Sequence, residues 1–576
     1  MACSENPASE EMADFIYPYY PFSYEWIQNQ ENLCYDFAGS QYVIIHRPLD
    51  EVLPLSITRE GYGAIPRLYA LLDSSSLESA GISKTFRQPR LGNKGGGTII
   101  GIIDTGIDYR SPLFRNPDGT TRILGIWDQT IKGDGLRSSF SFDDLHYGTV
   151  YTEAQINEAL KSQDPLSLVP TTDTNGHGTA MASISAGGAP AADSGTLSEF
   201  SGAAPEAKLV IVRLKPAKQY LRDFYLIPRD VDAFQEDDIM LGIKYLLYVA
   251  RTYRMPLTIL LGLGTNSGSH DGASPLALSL TRLSANSGQV IVTAAGNETG
   301  RGHHYLGSIP ENETYEDVEL RVGPGERGFV MELWAREAAL YSVGFFSPAG
   351  EEIAQIPLSI NEDRRITFLL DETILHVSYS RAEASVGSEL IFLRFETPAA
   401  GIWRIRVYNS LNIRGTYHIW LPVNDFISEN TYFLRPNPDT IVTEPGNAAP
   451  IITAAAYNHR NDSIYIHSSR GYSRTGFVKP DLTAPGVDIS VPGNSPAVPG
   501  GQSYTGTSVA AAHIAGASAI LLSWAVNEGG LSLINTPIAK AILIRGADRR
   551  PSLDYPNREW GYGTLNLYNA FLAMRD

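Results

Sequence analysis

Cysteine is almost absent: Cys3 and Cys34 are the only two in 576 residues. A secreted chain of this size stapled by disulfides carries more, so free thiols in a reducing compartment are expected rather than a Cys3–Cys34 bridge. Basic residues are also short. Lys and Arg number 45 against 63 Asp and Glu, a net charge of −18, which argues against non-specific binding to nucleic acid or an anionic membrane. No Lys or Arg precedes Arg47, so the basic start of a signal peptide is missing and export by the usual route is not expected. Long apolar runs are lacking too. The nearest, Ser508–Val526, contains His513 and is richer in Ala than in Leu or Ile, so it reads as a helix buried in the fold. No internal repeat or low-complexity tract occurs. The expectation is a soluble, cytoplasmic protein.

What is present is globular: 43% hydrophobic residues, with 53 Gly and 35 Pro that imply many turns. The length exceeds one ordinary domain. Residues 1–40 are acidic, then aromatic (Phe15 to Phe22, with Trp26), and their prolines prevent a long helix. These aromatics are expected to fold back on the body. Gln41–Ile45 reads as a strand and Tyr62–Leu72 as a second, with a connector at Leu71–Ala80. Gly95-Gly96-Gly97 reads as a flexible hinge.

Thr98–Asp104 is a short β-branched run that ends at a carboxylate, the pattern of a parallel strand buried on both faces. Similar runs follow at Leu209–Leu214, Leu257–Leu263, Val290–Ala295 and Ile451–Ala455. Helical patterns lie between and after them, at Gly178–Gly187, Asp237–Arg254, Pro275–Ser287, Ser508–Val526, Pro537–Arg545 and Leu567–Met574. Strands alternating with helices predict an α/β fold with a mainly parallel sheet, whose sites form beyond the carboxyl ends of the strands. From about Tyr315 to Leu434 the rhythm changes to eight short β-like runs separated by turns, which predicts an inserted all-β sandwich or jelly-roll.

Four motifs sit at element ends. Asp104 opens Asp104-Thr105-Gly106-Ile107-Asp108, His177 lies in Asn175-Gly176-His177-Gly178-Thr179, Asn297 closes Ala294-Ala295-Gly296-Asn297, and Ser508 follows Gly506-Thr507. Singly, each has a bland reading: Ser508 as a helix cap, His177 as a structural histidine, the other two as turn residues. Together they supply one chemistry. An alcohol needs a general base, a carboxylate fixes the base's tautomer, and a side-chain amide with the helix-start N–H stabilises an oxyanion. Asp143-Asp144 and Asp237-Asp238 read as solvated pairs or helix starts, and their spacing matches no calcium loop. His303-His304 reads as a loop packed near the cleft. No metal or cofactor is expected.

These motifs, with Gly506-Thr507-Ser508-Val509-Ala510-Ala511-Ala512-His513-Ile514-Ala515-Gly516, resemble the signatures of subtilisin-like serine proteases over residues 95–310 and 440–576. The resemblance implies Asp104, His177 and Ser508 as catalytic triad and Asn297 as oxyanion donor of an endopeptidase. It assigns Leu261, Gly262, Leu263, Gly264, Ala295 and Gly296 to the substrate cleft. Ile126-Trp127-Asp128-Gln129-Thr130, the stretch Asn266 to Gly272 and the large insertion resemble, more narrowly, the Csp germination proteases of Clostridia. In that family a jelly-roll insertion rigidifies the enzyme. A short prodomain is cut off autocatalytically yet stays bound, and members clip the zymogen of a spore-cortex hydrolase. The organisation this implies is a prodomain over 1–75, a catalytic domain over 76–310 and 438–576, and a jelly-roll over 311–437. Self-cleavage is expected between Tyr69 and Ser76, with the prodomain and a protein or peptide substrate as partners and a spore-associated or cytoplasmic location.

Three positions depart from the family pattern. The substrate strand usually reads Asn-x-Ser-[Leu/Phe]-Gly, whereas Leu260-Leu261-Gly262-Leu263-Gly264 stands here. Gly262 is expected to widen the cleft beside the P1 residue or to shift preference there. Ala512 replaces a usual Pro and Ala180 a frequent His. Two alternatives remain: a catalytically silent scaffold whose prodomain blocks the cleft, and a carbohydrate-binding insertion.

Overall fold

The computed structural model describes residues 6–20, 23–28, 30, 33–72, 82, 94–138, 141–188, 200–336, 338–358, 363–383, 386–411, 413, 415–492, 501–527 and 533–574. Its centre is a nine-stranded sheet. Along the sheet run Ser463–Ile464, Ile452–Asn458, Gln289–Ala294, Leu257–Leu261, Ile99–Asp104, Lys208–Arg213, Ile123–Asp128 and Thr149–Thr152, with Leu482–Pro485 also paired to Ile452–Asn458. The pairs around Ile99–Asp104 are parallel, and antiparallel partners occur at the two ends.

Residues of Ile99–Asp104 alternate between two cores, as the two-residue period of a strand requires. Ile100 and Ile102 join the core of helix Thr507–Asn527, while Ile99 and Ile103 face helix Glu236–Tyr253. Burial on both faces is why the strand is apolar throughout. Among the described residues, Thr507–Val526 is the one helix long and apolar enough to cross a membrane, and 89% of that window is buried inside the fold.

The aromatic N-terminal segment is a strand. Met12–Pro18 pairs antiparallel with Tyr42–Pro48, which pairs with Cys34–Ala38. Phe15 and Ile16 are buried on opposite sides of it, in different cores. Cys34 is disulfide-bonded, against the thiol expected; Cys3, the other cysteine, lies outside the described residues. Gly95–Gly97 is a packed turn rather than a hinge, since a Cβ at Gly95 would stand 2.8 Å from Ala204.

The insertion is a sandwich of a six-stranded and a five-stranded antiparallel sheet. Phe329, Leu333, Phe395, Trp403 and Ile405 fill the space between them. Its first strand is His304–Gly307, ahead of the expected start at 311, because that segment pairs with Tyr417–Trp420. The outer face of the larger sheet carries Val330, Trp334 and Phe392 onto Phe15, Tyr62 and Leu68. The sandwich therefore packs against the N-terminal unit as well as the α/β body.

Candidate active site

Asp104 ends its strand with no exposed surface, and the Thr105 N–H donates to its Oδ1 at 2.7 Å. The following turn receives helix His177–Ala186. Asp173 organises that helix start: Oδ1 accepts from the Gly176 N–H at 2.8 Å, and Oδ2 accepts from the Thr179 N–H at 2.8 Å. The Gly178 N–H donates to Thr105 Oγ1 at 3.0 Å. A Cβ at Gly178 would stand 2.2 Å from the Gly106 carbonyl oxygen, so only glycine lets the helix lie on this turn. The two motifs interlock, and His177 Nδ1 meets Asp104 Oδ1 at 2.8 Å and Oδ2 at 2.9 Å.

Ser508 stands at the start of helix Thr507–Asn527, with Oγ 3.2 Å from His177 Nε2. Asn297 Oδ1 accepts from the Thr507 N–H and hydroxyl, both at 3.2 Å, and Thr507 Oγ1 accepts from the Gly296 N–H at 3.0 Å. With its carbonyl end held there, the amide group of Asn297 has its NH2 end left to donate. Asp104, His177, Asn297 and Ser508 are thus brought together, His177 and Ser508 from positions 331 residues apart in the chain. His177 also borders an open cleft of about 470 Å³ lined by Leu71, Asn175, Asp232 and Tyr504.

The N-terminal unit runs into this site. Strand Leu68–Leu71 lies between two others: Leu71 and Ala70 pair with Leu263 and Gly264, and Tyr69 and Leu68 pair with Phe234 and Gln235. The Leu72 N–H donates to the Gly262 carbonyl at 3.0 Å. The Ser508 N–H donates to the Leu72 carbonyl oxygen at 2.9 Å. Leu72 is 3% exposed. A Cβ at Gly264 would meet Leu72 Cδ1 at 2.9 Å and Thr443 Oγ1 at 2.4 Å, and one at Gly296 would meet Thr443 Cγ2 at 2.6 Å. Gly264 therefore lies against both Leu72 and Thr443, and Gly296 lies against Thr443. Residues 73–76 of the expected cleavage window lie outside the described residues.

A Cβ at Gly262 would stand 3.1 Å from His177 Cε1, 3.2 Å from Ser508 Cβ and 3.4 Å from Asp104 Oδ2. Gly262 thus faces the Asp–His–Ser cluster. Leu261 is a core residue of its strand, paired with Ile103 and Thr293. Leu263 and Gly264 line the strand from Leu68 to Leu71, and the Ala295 carbonyl accepts from the Thr443 N–H at 2.9 Å. Phe234, Gln235 and Thr443 went unmarked in the sequence. Phe234-Gln235 is a two-residue strand, and Thr443 acquires its place only through the fold.

Asp237 and Asp238 lie in the first turn of helix Glu236–Tyr253, the helix start that was one of the two readings expected, and both are buried rather than solvated. Asp238 is buried and accepts from Lys215 Nζ at 2.6 Å, and Asp237 is buried beside it. Burial, with Asp238 and Asp14 close by, pushes the Asp237 carboxyl up to about 8. Asp143 is buried against Arg251. His303 Nδ1 meets Glu298 Oε2 at 2.8 Å, while His304 begins a strand of the sandwich. Among the described residues no group of three or more His, Cys, Asp or Glu could hold a metal ion.

The model of the subtilase family matches residues 95–319 and 428–563. Among curated proteins the chain is similar to the minor extracellular protease Vpr of Bacillus subtilis, 36% identical over 114 residues, covering 18% of this chain and 13% of that protein. It is also similar to pyrolysin of Pyrococcus furiosus, 22% identical over 530 residues, covering 84% of this chain and 35% of that one. The chain thus spans about a third or less of the length of these relatives. Among solved structures it is similar to the CspB protease of Clostridium perfringens, 29% identical with a TM-score of 0.74, covering 86% of this chain and 98% of that one.

Proposed function

Because the chain belongs to the subtilase family of serine proteases, we propose that it is a serine endopeptidase acting by acyl transfer. Ser508 Oγ attacks the carbonyl carbon, His177 takes its proton and later gives it to the leaving amine, and Asp104 holds the imidazole tautomer and steadies the cation. The Ser508 N–H and the Asn297 amide receive the oxyanion. The observation that carries the reading is the relay from Asp104 through His177 to Ser508, at 2.8 Å and 3.2 Å, with a peptide carbonyl already on the Ser508 N–H. Its test is labelling with a fluorophosphonate probe: modification that disappears in Ser508→Ala supports it, and no modification near neutral pH contradicts it.

The first substrate of this enzyme is its own N-terminal unit, cut between Leu72 and Asp73. Leu72 supports this because it has what an acyl-side residue needs: a side chain in a closed pocket, an N–H on Gly262 and a carbonyl on Ser508. The cleaved unit stays docked through its strand pairing and the salt bridge of Asp14 with Lys218. The likeness to the CspB protease supports a narrower role, the activation of a cortex-hydrolase zymogen in a germinating spore, with a spore-associated or cytoplasmic location. One observation favours a second reading: Leu68–Leu72 fills the groove, and a strand that never leaves makes the chain a silent scaffold. The same labelling, repeated with a peptide substrate in competition, separates the two.

A further inference from the structure

The residue just before strand Leu68–Leu71 enters a site of its own. Arg67 is buried, and its Nη1 lies 3.1 Å and 3.4 Å from the two carboxylate oxygens of Glu236. Its backbone is caught by the same residue. The Arg67 N–H donates to Glu236 Oε2 at 3.3 Å, and the Arg67 carbonyl accepts from the Glu236 N–H at 3.0 Å. The ring of Tyr62 covers the guanidinium at 4.8 Å. Glu236 has no exposed surface, and the Leu276 N–H fixes its Oε1 at 3.1 Å.

Two more buried carboxyls converge on this place from other parts of the chain. Glu332, on the sandwich, accepts from Tyr62 Oη at 2.8 Å and the Gly268 N–H at 2.9 Å. Glu444, beside Thr443, accepts from the Gly272 N–H at 3.1 Å, and its Oε2 is buried without a hydrogen-bond partner. Gly268 ties them together: a Cβ there would meet Glu444 Cγ at 3.4 Å and Arg67 Nε at 3.6 Å. Arg67 Nε is likewise buried and unpartnered. Burial, with Asp271 nearby, raises the Glu444 carboxyl to about 8, and burial raises Glu332 as well.

Removing the strand would leave Glu236 as a buried charge without its partner, an expensive state unless the incoming peptide supplies a cation. The planar guanidinium suits a carboxylate pair better than a point-charged ammonium does.

We propose that Glu236, Glu332 and Glu444 form a remote subsite of the peptide groove that takes an arginine five residues before the residue whose carbonyl Ser508 attacks, so that protein substrates carrying arginine there are selected. This rests on the protease reading above, with Leu72 as the acyl-side residue. The test uses two fluorogenic peptides, Arg-Leu-Tyr-Ala-Leu-Leu-reporter and the same with Met in first place, on the full-length protein after self-processing. The arginine peptide is expected to show at least tenfold higher kcat/KM, mostly through KM, and Glu236→Gln is expected to collapse that ratio below threefold. Cleavage of both peptides with kcat/KM equal within twofold overturns the subsite alone. Cleavage of neither overturns the protease reading, and the subsite with it.

Discussion

The carbonyl oxygen of Leu72 accepts a hydrogen bond of 2.9 Å from the backbone N–H of Ser508. The contact joins the last described residue of the N-terminal unit to the candidate nucleophile. It turns an expected window, Tyr69 to Ser76, into one proposed bond, Leu72–Asp73. An oxyanion formed at Leu72 would keep this donor and gain that of Asn297. Replacing Asn297 by Ala is expected to lower kcat on a peptide substrate by about 10²–10³, with KM within about twofold, because the amide acts mainly on the transition state. Steady-state kinetics check this, and an equal loss confined to KM would contradict it.

Thr443 stands beside Gly264, which also faces Leu72, and beside Gly296. Its side chain limits the depth available to an incoming residue. Thr443→Gly is expected to raise kcat/KM for Phe against Leu at that position by about tenfold, the usual scale for space gained in an apolar pocket. Paired peptides differing only there read the ratio; an unchanged ratio places the specificity elsewhere.

Gly178 carries the closest approach between the two interlocked motifs. The Gly178→Ala methyl would press on the Gly106 carbonyl, a backbone atom that cannot rotate away. The helix must move and take His177 from Asp104. The expected cost is about 1–3 kcal/mol of stability and about a hundredfold in kcat from the displaced base. Denaturant melts and kinetics on the same preparation test both; wild-type kcat with wild-type stability would contradict the close packing.

His46 lies buried between Asp14 and Asp36, at 2.8 Å and 3.3 Å. Burial opposes its charge, but the hydrogen bonds and charges of the two carboxylates outweigh this and push it up to about 9. Asp14 also meets Lys218, and Asp36 meets His146 at 2.7 Å, with Lys244 near by. The folded value lies above the unfolded one of 6.5, so the stabilisation is complete below that pH and fades as pH rises through about 9. Thermal midpoints of wild type are expected to fall between pH 6.5 and 9.5, by a part worth on the order of 3 kcal/mol, and His46→Gln to fall less steeply. Parallel pH profiles for the two would remove His46 from the account.

Much of the body was legible because its signals are local. The runs at Thr98–Asp104, Leu209–Leu214 and Val290–Ala295 carry the apolar pattern of strands buried on both faces, and each lies within a residue or two of an observed strand. Asp104, His177, Asn297 and Ser508 stood out because each ends an element inside a short glycine-bearing motif. Other features depend on partners far along the chain. Met12–Pro18 is a strand only because Tyr42–Pro48 pairs with it, and the prolines around it, Pro7, Pro18 and Pro21, hid that. Gly262 looked like a gap beside the substrate, yet the space at its Cα belongs to His177 and Ser508. Thr443 lies 147 residues beyond Gly296, across the whole sandwich, and nothing local marks it as a pocket wall.

Intact mass and N-terminal sequencing of the purified full-length protein, beside Ser508→Ala, test the central claim most directly. The account predicts two species for wild type, one beginning at Asp73, and a single uncut chain for Ser508→Ala. A single uncut chain for both, or the same cut in both, would contradict it.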